Sequence, residues 1–560
     1  MRVSLRSSFA VAILIVTLAM SAFSLGTTGP VSGQGSQPGK RYILLGENES
    51  LPVGLEAMVA AAGGRIVGTV PEVGLAIIES DEPSFEFAVA GISGVEAVAE
   101  DEEVFIGGLA DEIVAEGDVA GSGIVAESHN PQLARFFFVQ WAMKAVNADD
   151  AWAEGFQGSP SVDVAVLDTG IDYTHQELVG KVDMVRSKAF YYESLSPLPP
   201  GLPAGTAILP ILDFNGHGTF VASMIAGQGI SVAGVAPHVN LIAVKVGGRN
   251  GFAPWSAIIL AIQYAADSGA DVINMSFGAR MTRDELKADH LKRAIQRAIK
   301  YAERRGAFLT SSAGNEGTNW DHESALTKVP AEFPEVNAVA ATGPANFMDS
   351  NSFAPYSDFG RTIVDFAAPG GNATPFRCMP VFAPMNGPMI ACNRLAPLPN
   401  GNPNPAGMPA DALIGACSRF VQFLPNNMMA FPCRTGRTNV FNLGTSMASA
   451  IVSGVAALAD SVANGQLNGD QLRHVLRQSA VDLGRQGPDE YFGYGLVNAI
   501  AAARCVQQQV SVHNDKAKIK GNCNYRSQKT TSLAHMGFGQ VSADRAVARE
   551  DRADIMHRNA

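Results

Sequence analysis

The chain has 560 residues, which is too long for one ordinary domain and indicates two or three. Its residues are 47% hydrophobic and 17% charged, so the chain can bury a large core and wholesale disorder is excluded. The 53 acidic residues outnumber the 41 basic ones, and the net charge of −12 argues against binding to nucleic acid or to an anionic membrane surface.

The N-terminus has the pattern of an export signal. Arg2 and Arg6 precede an apolar run at residues 9–18, and small residues follow. This pattern predicts a secretory signal peptide within residues 1–34, and therefore an extracellular or periplasmic protein. A membrane anchor is the alternative, because the looser apolar stretch extends to Leu25 and approaches the ~17 residues of a short span. We favour cleavage and export, with no stable membrane anchor.

Residues 41–106 predict a small α+β domain. Apolar, β-branched runs alternate with two short helical patterns in the order β-α-β-β-α-β, which is the ferredoxin-like arrangement. Residues 107–135 then shift to Gly, Ala, Asp and Glu. Such an acidic, glycine-rich stretch buries little surface, so it predicts a flexible linker that proteases can reach.

Residues 136–503 predict an α/β domain. A helix is expected at residues 285–304, with Thr282 and Glu285 as its capping box. Continuous apolar strands that alternate with helices indicate a doubly wound parallel sheet covered on both faces. The predicted strands are residues 162–167, 241–246, 272–275, 307–310, 336–341 and 363–366.

Two segments do not follow this alternation. Residues 370–438 are rich in Pro and Asn and hold four cysteines, and we interpret them as a long inserted loop. Residues 504–560 form a polar C-terminal tail with the other two cysteines. An even number of cysteines in an exported chain, without zinc-ligand spacing, predicts disulfide bonds.

A carboxylate follows the first strand of the α/β domain. Asp168 comes directly after the apolar run 162–167, and open α/β sheets place their sites at the carboxyl ends of strands. The triplet Asp-Thr-Gly also occurs in aspartic proteases, but those enzymes need two such aspartates and this chain has one triplet. An Asp that only ends a strand and begins a turn is the simpler alternative.

Two other residues are suited to nucleophilic catalysis. His217 lies between two glycines, which leave its imidazole open to a substrate, although a buried structural histidine is the alternative. Ser446 begins a helix of small residues, where free N–H groups can stabilise negative charge, although a capping serine is the alternative. The order Asp, His, Ser opposes an α/β-hydrolase esterase, in which the order is Ser, acid, His.

With these motifs in this order, the chain resembles the subtilases, the subtilisin-like serine proteases. The resemblance covers about residues 140–503 apart from insertions. It implies a subtilisin-like catalytic domain at residues 136–503, and it makes residues 41–106 similar to the family's propeptide, which assists folding and inhibits the enzyme until removed. The matching blocks are Asp168-Thr-Gly-Ile-Asp172, Asn215-Gly-His-Gly-Thr219, Ile273-Asn-Met-Ser-Phe-Gly278, Ser312-Ala-Gly-Asn-Glu-Gly317 and Gly444-Thr-Ser-Met-Ala-Ser449.

The resemblance implies a role for each matching residue. Ser446 would attack the peptide carbonyl, His217 would carry its proton, and Asp168 would orient the imidazole. Asn315 would donate a hydrogen bond to the oxyanion, together with the backbone N–H of Ser446. The residues that would bind the substrate are Ser276, Gly278, Ser312, Ala313 and Gly314.

The resemblance also bears on cofactors and partners. No cofactor is required for the chemistry. A structural calcium ion is possible, but the usual loop site is not supported, because residues 227–234 are short and poor in side-chain oxygens and Glu177 stands where a ligand Asp is common. The expected partners are polypeptide substrates and the chain's own propeptide, around a monomer. The alternative is a catalytically silent binding protein on the same fold, although the chain retains every member of the triad.

Overall fold

The fold is described here from a computed structural model. It describes residues 32–33, 39–106, 130–193, 209–283, 285–344, 351–372, 378–383, 387–392, 411–421, 438–513 and 516–519. Most of residues 1–34, within which the signal peptide is predicted, and most of the predicted linker at 107–135 lie outside these residues.

An N-terminal unit at residues 39–106 forms an antiparallel sheet in the order β3-β4-β2-β5. Side chains alternate between its two faces: Tyr42 and Leu44 pack under the unit's own helices, whereas Ile43 and Leu45 face the rest of the protein. A two-residue strand, β1 (Ser32–Gly33), precedes the unit. The elements of the unit are β2 (Lys40–Gly46), α1 (Leu55–Ala61), β3 (Gly64–Val70), β4 (Leu75–Ser80), α2 (Phe85–Ala90), β5 (Val95–Glu100) and β6 (Glu103–Phe105), and from β2 to β5 they follow the order predicted from the sequence.

The central sheet has eight strands, in the order β17-β16-β14-β12-β7-β10-β8 with β18 beside β16. All its pairings are parallel except that of β17 with β16. The strands from residue 163 to 369 are β7 (Asp163–Asp168), β8 (Lys188–Ala189), β9 (Tyr192–Glu193), β10 (Asn240–Lys245), β11 (Phe252–Pro254), β12 (Val272–Met275), β13 (Ala279–Thr282), β14 (Phe308–Ser312), β15 (Leu326–Val329), β16 (Val336–Gly343), β17 (Ser352–Phe353) and β18 (Phe366–Pro369).

Helices cover both faces of this sheet. Val164 and Val166 of β7 pack on the side of α5, α8 and α10, whereas Ala165 and Leu167 pack on the side of α6 and α7. The prediction of a doubly wound α/β domain is therefore confirmed. The helices are α3 (Trp141–Ala145), α4 (Ala148–Ala153), α5 (His217–Ala226), α6 (Trp255–Asp267), α7 (Leu286–Arg304), α8 (Thr445–Val462), α9 (Gly469–Ser479) and α10 (Ala499–Gln509). Among the described helices, α8 alone is long and apolar enough to cross a membrane, and 89% of it is buried as core.

Two local predictions are wrong. The strand expected at residues 363–366 is β18, Phe366–Pro369, because residues 363 and 364 form a turn whose N–H groups bond to Gly360 and whose side chains fill a separate apolar cluster. The capping box before α7 does not form. Thr282 ends β13, and its hydroxyl donates to the carboxylate of Glu285 (2.8 Å) instead of accepting a backbone N–H.

Three predicted boundaries also shift. Residues 130–135 are not free linker, because Pro131 and Ala134 are buried against the α/β domain. The packed chain continues past residue 503, since α10 extends to Gln509 and buries Cys505. The insertion at 370–438 is partly core: β21 (Leu413–Ala416) is fully buried and pairs with β22. Its other strands are β19 (Cys378–Ala383) and β20 (Gly387–Cys392). The strand β22 (Asn439–Asn442) directly follows the insertion, and the tail adds β23 (Val510–His513) and β24 (Lys516–Ile519). Cys417 and Cys505 are each disulfide-bonded in the structure.

Candidate active site

The first part of the site is a buried carboxylate–imidazole pair. Asp168 ends β7, and His217 begins α5 directly after Gly216, whose φ of 105° is accessible mainly to glycine. The Nδ1 atom of His217 lies 2.8 Å from Oδ1 and 3.0 Å from Oδ2 of Asp168. Both side chains are almost completely excluded from solvent. The carboxylate therefore fixes the orientation of the ring and leaves Nε2 as the atom that can exchange a proton.

The environment of His217 makes its ring a stronger base than usual. Burial is the largest single influence and lowers the pKa of His217, because it disfavours the charged ring. The charge of Asp168, the hydrogen bond to Asp168 and the charge of Asp213 act in the opposite direction. Together they raise the pKa of His217 above its ordinary value. The ring can thus accept a proton from a hydroxyl more readily than an isolated imidazole.

Ser446 lies in the first turn of α8, at the same edge of the sheet. The helix follows Gly444, whose φ of 147° and ψ of 159° suit glycine. The hydroxyl of Ser446 donates to the carbonyl of Ser276 (2.9 Å), and the hydroxyl of Ser276 donates to the carbonyl of Ser446 (2.9 Å). These reciprocal bonds fix the serine against the end of β12. The N–H of Ser446 belongs to a helix turn that has no intrahelical acceptors.

The side chain of Asn315 is oriented by the residue that precedes Ser446. Its Oδ1 accepts hydrogen bonds from the N–H (2.9 Å) and the hydroxyl (2.8 Å) of Thr445. Because the backbone N–H of Thr445 can only donate, these contacts identify the amide oxygen and leave the Nδ2 group to point elsewhere. Asn315 and Ser446 can therefore offer two N–H donors side by side.

The predicted substrate-binding residues lie around one lysine side chain. A side chain at Gly278 would meet Cε of Lys328 at 3.3 Å, and one at Gly314 would meet its Nζ at 2.5 Å. Lys328 therefore runs behind both glycines, and the two predicted pocket segments are neighbours. Ser312 ends β14, and both it and Ala313 are buried, so they contribute mainly backbone to this surface.

Sequence reasoning missed the charged groups behind this surface. The ammonium of Lys328 lies 2.9 Å from Glu316 and 3.6 Å from the buried Asp358. Burial raises the pKa of Asp358 to about 6. Asp358 accepts the N–H of Glu316 (3.0 Å) and of Thr318 (2.9 Å), and its own N–H donates to Gly314 (2.9 Å). Asp358 thus holds the segment that carries Asn315. The sequence offered only a weak signal, a lysine in the short segment Leu326–Val329 that also holds two apolar residues and a threonine.

A sequence model of the subtilase family matches residues 159–495 of this chain. The chain belongs to the subtilase family. Similar proteins include the thermophilic serine proteinase of Bacillus sp. strain AK1, 29% identical over 65% of this chain and 66% of the relative. The major intracellular serine protease of Bacillus subtilis strain 168 is 35% identical over 41% of this chain and 64% of the relative. The match thus spans slightly less than two thirds of the length of either relative.

Solved structures agree with the fold of this subtilase. The epidermin leader peptide processing serine protease of Staphylococcus aureus superposes with a TM-score of 0.60, at 19% identity, over 85% of this chain and 100% of that one. At this identity the similarity concerns the fold alone. It extends over more of the chain than the family match, which ends at residue 495.

In this subtilase, a carboxylate organises the loop at which many relatives bind calcium. Glu177 is completely buried, and its Oε2 accepts the N–H groups of Gly229 (3.1 Å) and Ile230 (3.2 Å). Its Oε1 accepts those of Ser231 (2.5 Å) and Val232 (3.3 Å). Calcium requires oxygen ligands, whereas this loop turns N–H donors inward. The arrangement therefore does not fit a cation at this place.

We expect Glu177→Gln to lower the free energy of unfolding by about 1–3 kcal/mol. The amide keeps one acceptor oxygen and turns an NH₂ group toward two backbone N–H groups, which are then unpaired. Urea unfolding measures the change. The matched control is Glu154→Gln, at an exposed carboxylate that pairs with Arg504 on the surface, with an expected change within about 1 kcal/mol. Full stability of Glu177→Gln, or recovery on addition of calcium, would contradict the role given to this side chain.

Proposed function

We propose that this chain is a serine endopeptidase that cleaves polypeptides through Ser446, His217 and Asp168. The buried His217–Asp168 pair, at the same sheet edge as Ser446, is the observation that carries the proposal. The hydroxyl of Ser446 turns from the carbonyl of Ser276 to Nε2 of His217, gives up its proton and attacks the peptide carbonyl. His217 then passes the proton to the leaving amine. In the second half of the reaction, His217 takes a proton from water, the water attacks the acyl group, and the proton returns to Ser446 as the acid product leaves.

The negative charge that develops on the carbonyl oxygen needs donors that are already in place. Asn315 supplies its Nδ2 group, because its Oδ1 is occupied by Thr445. The N–H of Ser446 supplies the second donor from the first turn of α8. Donors that are fixed before the reaction need no reorganisation in the transition state, which makes them effective catalysts.

Polypeptide substrates would bind by adding a strand to the enzyme. An extended segment of this chain already docks in that manner: β6 pairs antiparallel with β11, and the N–H of Ile106 donates to the carbonyl of Gly251 (2.7 Å). The side chain of Ile106 is buried beside Gly247, which has no side chain to exclude it. This docking supports recognition of an extended backbone, in which the segment Ser276–Phe277–Gly278 would form the other side.

We propose further that residues 41–106 are an inhibitory propeptide. The unit packs on α6 and α7, where Arg293 and Arg297 both form ion pairs with Glu96. Arg297 also donates to the carbonyl of Gly46 (2.9 Å). One continuous apolar cluster joins the sheet of the N-terminal unit to these helices. The N-terminal unit therefore covers α6 and α7. Its last strand, β6, continues from this surface toward the edge that would bind the substrate.

Asp101 strengthens this contact at the start of α6. Its Oδ1 accepts the N–H of Ser256 (3.0 Å), and its Oδ2 accepts the hydroxyl of Ser256 (2.5 Å), so a residue of the N-terminal unit caps a helix of the catalytic domain. Burial raises the pKa of Asp101 to about 6. Asp101 therefore binds a proton more tightly in the docked state than it would in solvent. Docking is strongest while Asp101 is protonated, and it weakens as the pH rises through about 6.

The proposal includes export and cross-linking. The pattern of residues 1–34 supports secretion to an extracellular or periplasmic space, where the cysteines of the insertion and tail would be oxidised. Cys417 and Cys505 are each disulfide-bonded in the structure, which is consistent with that environment. We propose that the processed protein acts as a monomer.

A fluorophosphonate probe tests the proposed activity directly. We expect the processed wild type to be labelled at Ser446 and to hydrolyse a denatured protein, because the probe requires an activated serine beside oxyanion donors. Ser446→Ala should lose both properties. Absence of labelling and of hydrolysis in the processed wild type would instead indicate a silent binding protein on the subtilase fold.

A further inference from the structure

Asp213 is a buried carboxylate four residues before His217, the first residue of α5. Its Oδ1 accepts the hydroxyl of Thr169 (2.9 Å) and the N–H groups of Asn215 (2.9 Å) and Gly216 (2.8 Å). Its Oδ2 accepts the N–H (2.9 Å) and the hydroxyl (2.6 Å) of Thr219. We propose that Asp213 is a positioning residue that fixes His217 against Asp168 and places a second negative charge behind the imidazole. This inference rests on the proposed peptidase function.

The five hydrogen bonds join the two halves of the catalytic pair. Thr169 follows Asp168 in the chain, and Gly216 precedes His217. The carboxylate of Asp213 therefore binds a chain neighbour of Asp168 and a chain neighbour of His217. The hydroxyl of Thr169 also accepts the N–H of Gly218 (3.0 Å), the residue after the histidine. A displacement of the Asp213 carboxylate would therefore move β7's end and the start of α5 relative to each other.

The donors to Asp213 are all neutral, so these bonds leave its negative charge uncancelled. The charge acts on His217 together with that of Asp168, and the two oppose the effect of burial on the pKa of the ring. During the reaction His217 becomes an imidazolium, and a negative charge behind it stabilises that state. Asp213 thus favours the protonated ring in the transition state without contact with the substrate.

Other charged groups around this loop are engaged elsewhere. Lys245 on β10 donates to the carbonyls of Thr169 (2.5 Å) and Leu212 (3.2 Å) and pairs with Glu193 on β9 (3.3 Å). Glu193 also pairs with Arg249 (3.1 Å).

After β7, Asp172 accepts the N–H of Arg419 (3.1 Å) and faces its guanidinium (3.6 Å). The N–H of Asp172 donates to the hydroxyl of Thr219 (2.9 Å). These groups are unchanged in a variant of Asp213, so a shift in the pH profile of that variant would report the charge of Asp213.

The test compares Asp213→Asn with wild type in the full chain after processing. The amide keeps the size but loses the charge and at least two acceptor bonds. We expect kcat to fall by about tenfold to a hundredfold with KM little changed, because the imidazole is misplaced. In the pH profile of kcat/KM, the rise on the acid side (the acid limb) should move to lower pH. The reason is that the pKa of His217 falls when it loses a neighbouring negative charge that favours its protonated form. Asp163→Asn, at the other end of β7, is the control and should leave that limb in place.

A second variant separates position from charge. Thr169→Val breaks the link between Asp213 and Gly218 but keeps the carboxylate, so kcat should fall about tenfold while the acid limb stays in place. If Asp213→Asn does not fold, Thr169→Val serves as the test of positioning in its place. An unmoved acid limb in folded Asp213→Asn, or a wild-type kcat in Thr169→Val, would overturn the inference. The proposed function is tested separately. If the wild type hydrolyses peptides and Ser446→Ala does not, the proposed function is correct whatever the result for Asp213.

Discussion

Ser446→Ala should be exported and folded yet keep residues 41–135, whereas the wild type loses its N-terminal unit. If the enzyme processes itself, removal of the nucleophile prevents the cut without altering the linker. Turnover should fall by about 10⁶-fold, the loss known for the nucleophile of subtilisin. Intact mass and N-terminal sequencing of the secreted protein measure the outcome.

The structure narrows the position of this cut. Ile106 is hydrogen-bonded to Gly251, and Pro131 is buried, so both ends of the intervening stretch are packed. The broader expectation of a new N-terminus between about 107 and 138 becomes one between about 107 and 130. Residues 107–129 lie outside the described residues.

Two controls accompany this variant. Ser461→Ala makes the same change at the opposite end of α8, where the hydroxyl bonds only to the carbonyl of Ala457 (2.7 Å), and it should mature normally. Addition of a small amount of active enzyme to Ser446→Ala should restore the cut. Normal maturation of Ser446→Ala without added protease would show that another enzyme performs the processing.

Asn315→Ala should slow peptide hydrolysis far more than it weakens substrate binding. Its Nδ2 group becomes useful as charge develops on the carbonyl oxygen, so its loss should lower kcat and leave KM little changed. The expected decrease is about 10²–10³-fold, as for the corresponding donor in subtilisin. Steady-state kinetics on a peptide substrate measure both constants.

The control for Asn315→Ala is Asn319→Ala, four residues further along the same loop. Asn319 uses its Oδ1 to accept the N–H of Asp321 (3.0 Å), a local turn contact, so its loss should leave kcat unchanged. A rise in KM at constant kcat in Asn315→Ala would make Asn315 a ground-state contact, and its assignment to the oxyanion would then be wrong.

The buried strands could be predicted because their signal is local. Residues 272–275 form β12 within the predicted bounds, since a strand covered on both faces needs a continuous apolar run. The helix that begins at His217 was harder to predict. Gly216 and Gly218 disfavour a helix by propensity, but the acceptor bonds of Asp213 stabilise the first turn.

The role of the insertion could not be predicted from its composition. Proline and asparagine indicated a loop, but Gly415 of β21 lies against the ring of Phe220 on α5, where a side chain would come within 2.8 Å. Such a contact depends on two residues far apart in the chain. The same applies to Lys328 and Asp358, whose burial is tolerated only because folding brings them together.

The carboxylate of Glu177 also changes how the protein depends on its surroundings. A bound ion stabilises a fold by an amount that grows with its free concentration, and a chelator removes that contribution. Glu177 is covalently part of the chain, so it meets residues 229–232 at the same effective concentration in any medium. This loop is therefore stabilised by a side chain of the protein itself. A substrate that binds divalent ions tightly would leave residues 229–232 folded.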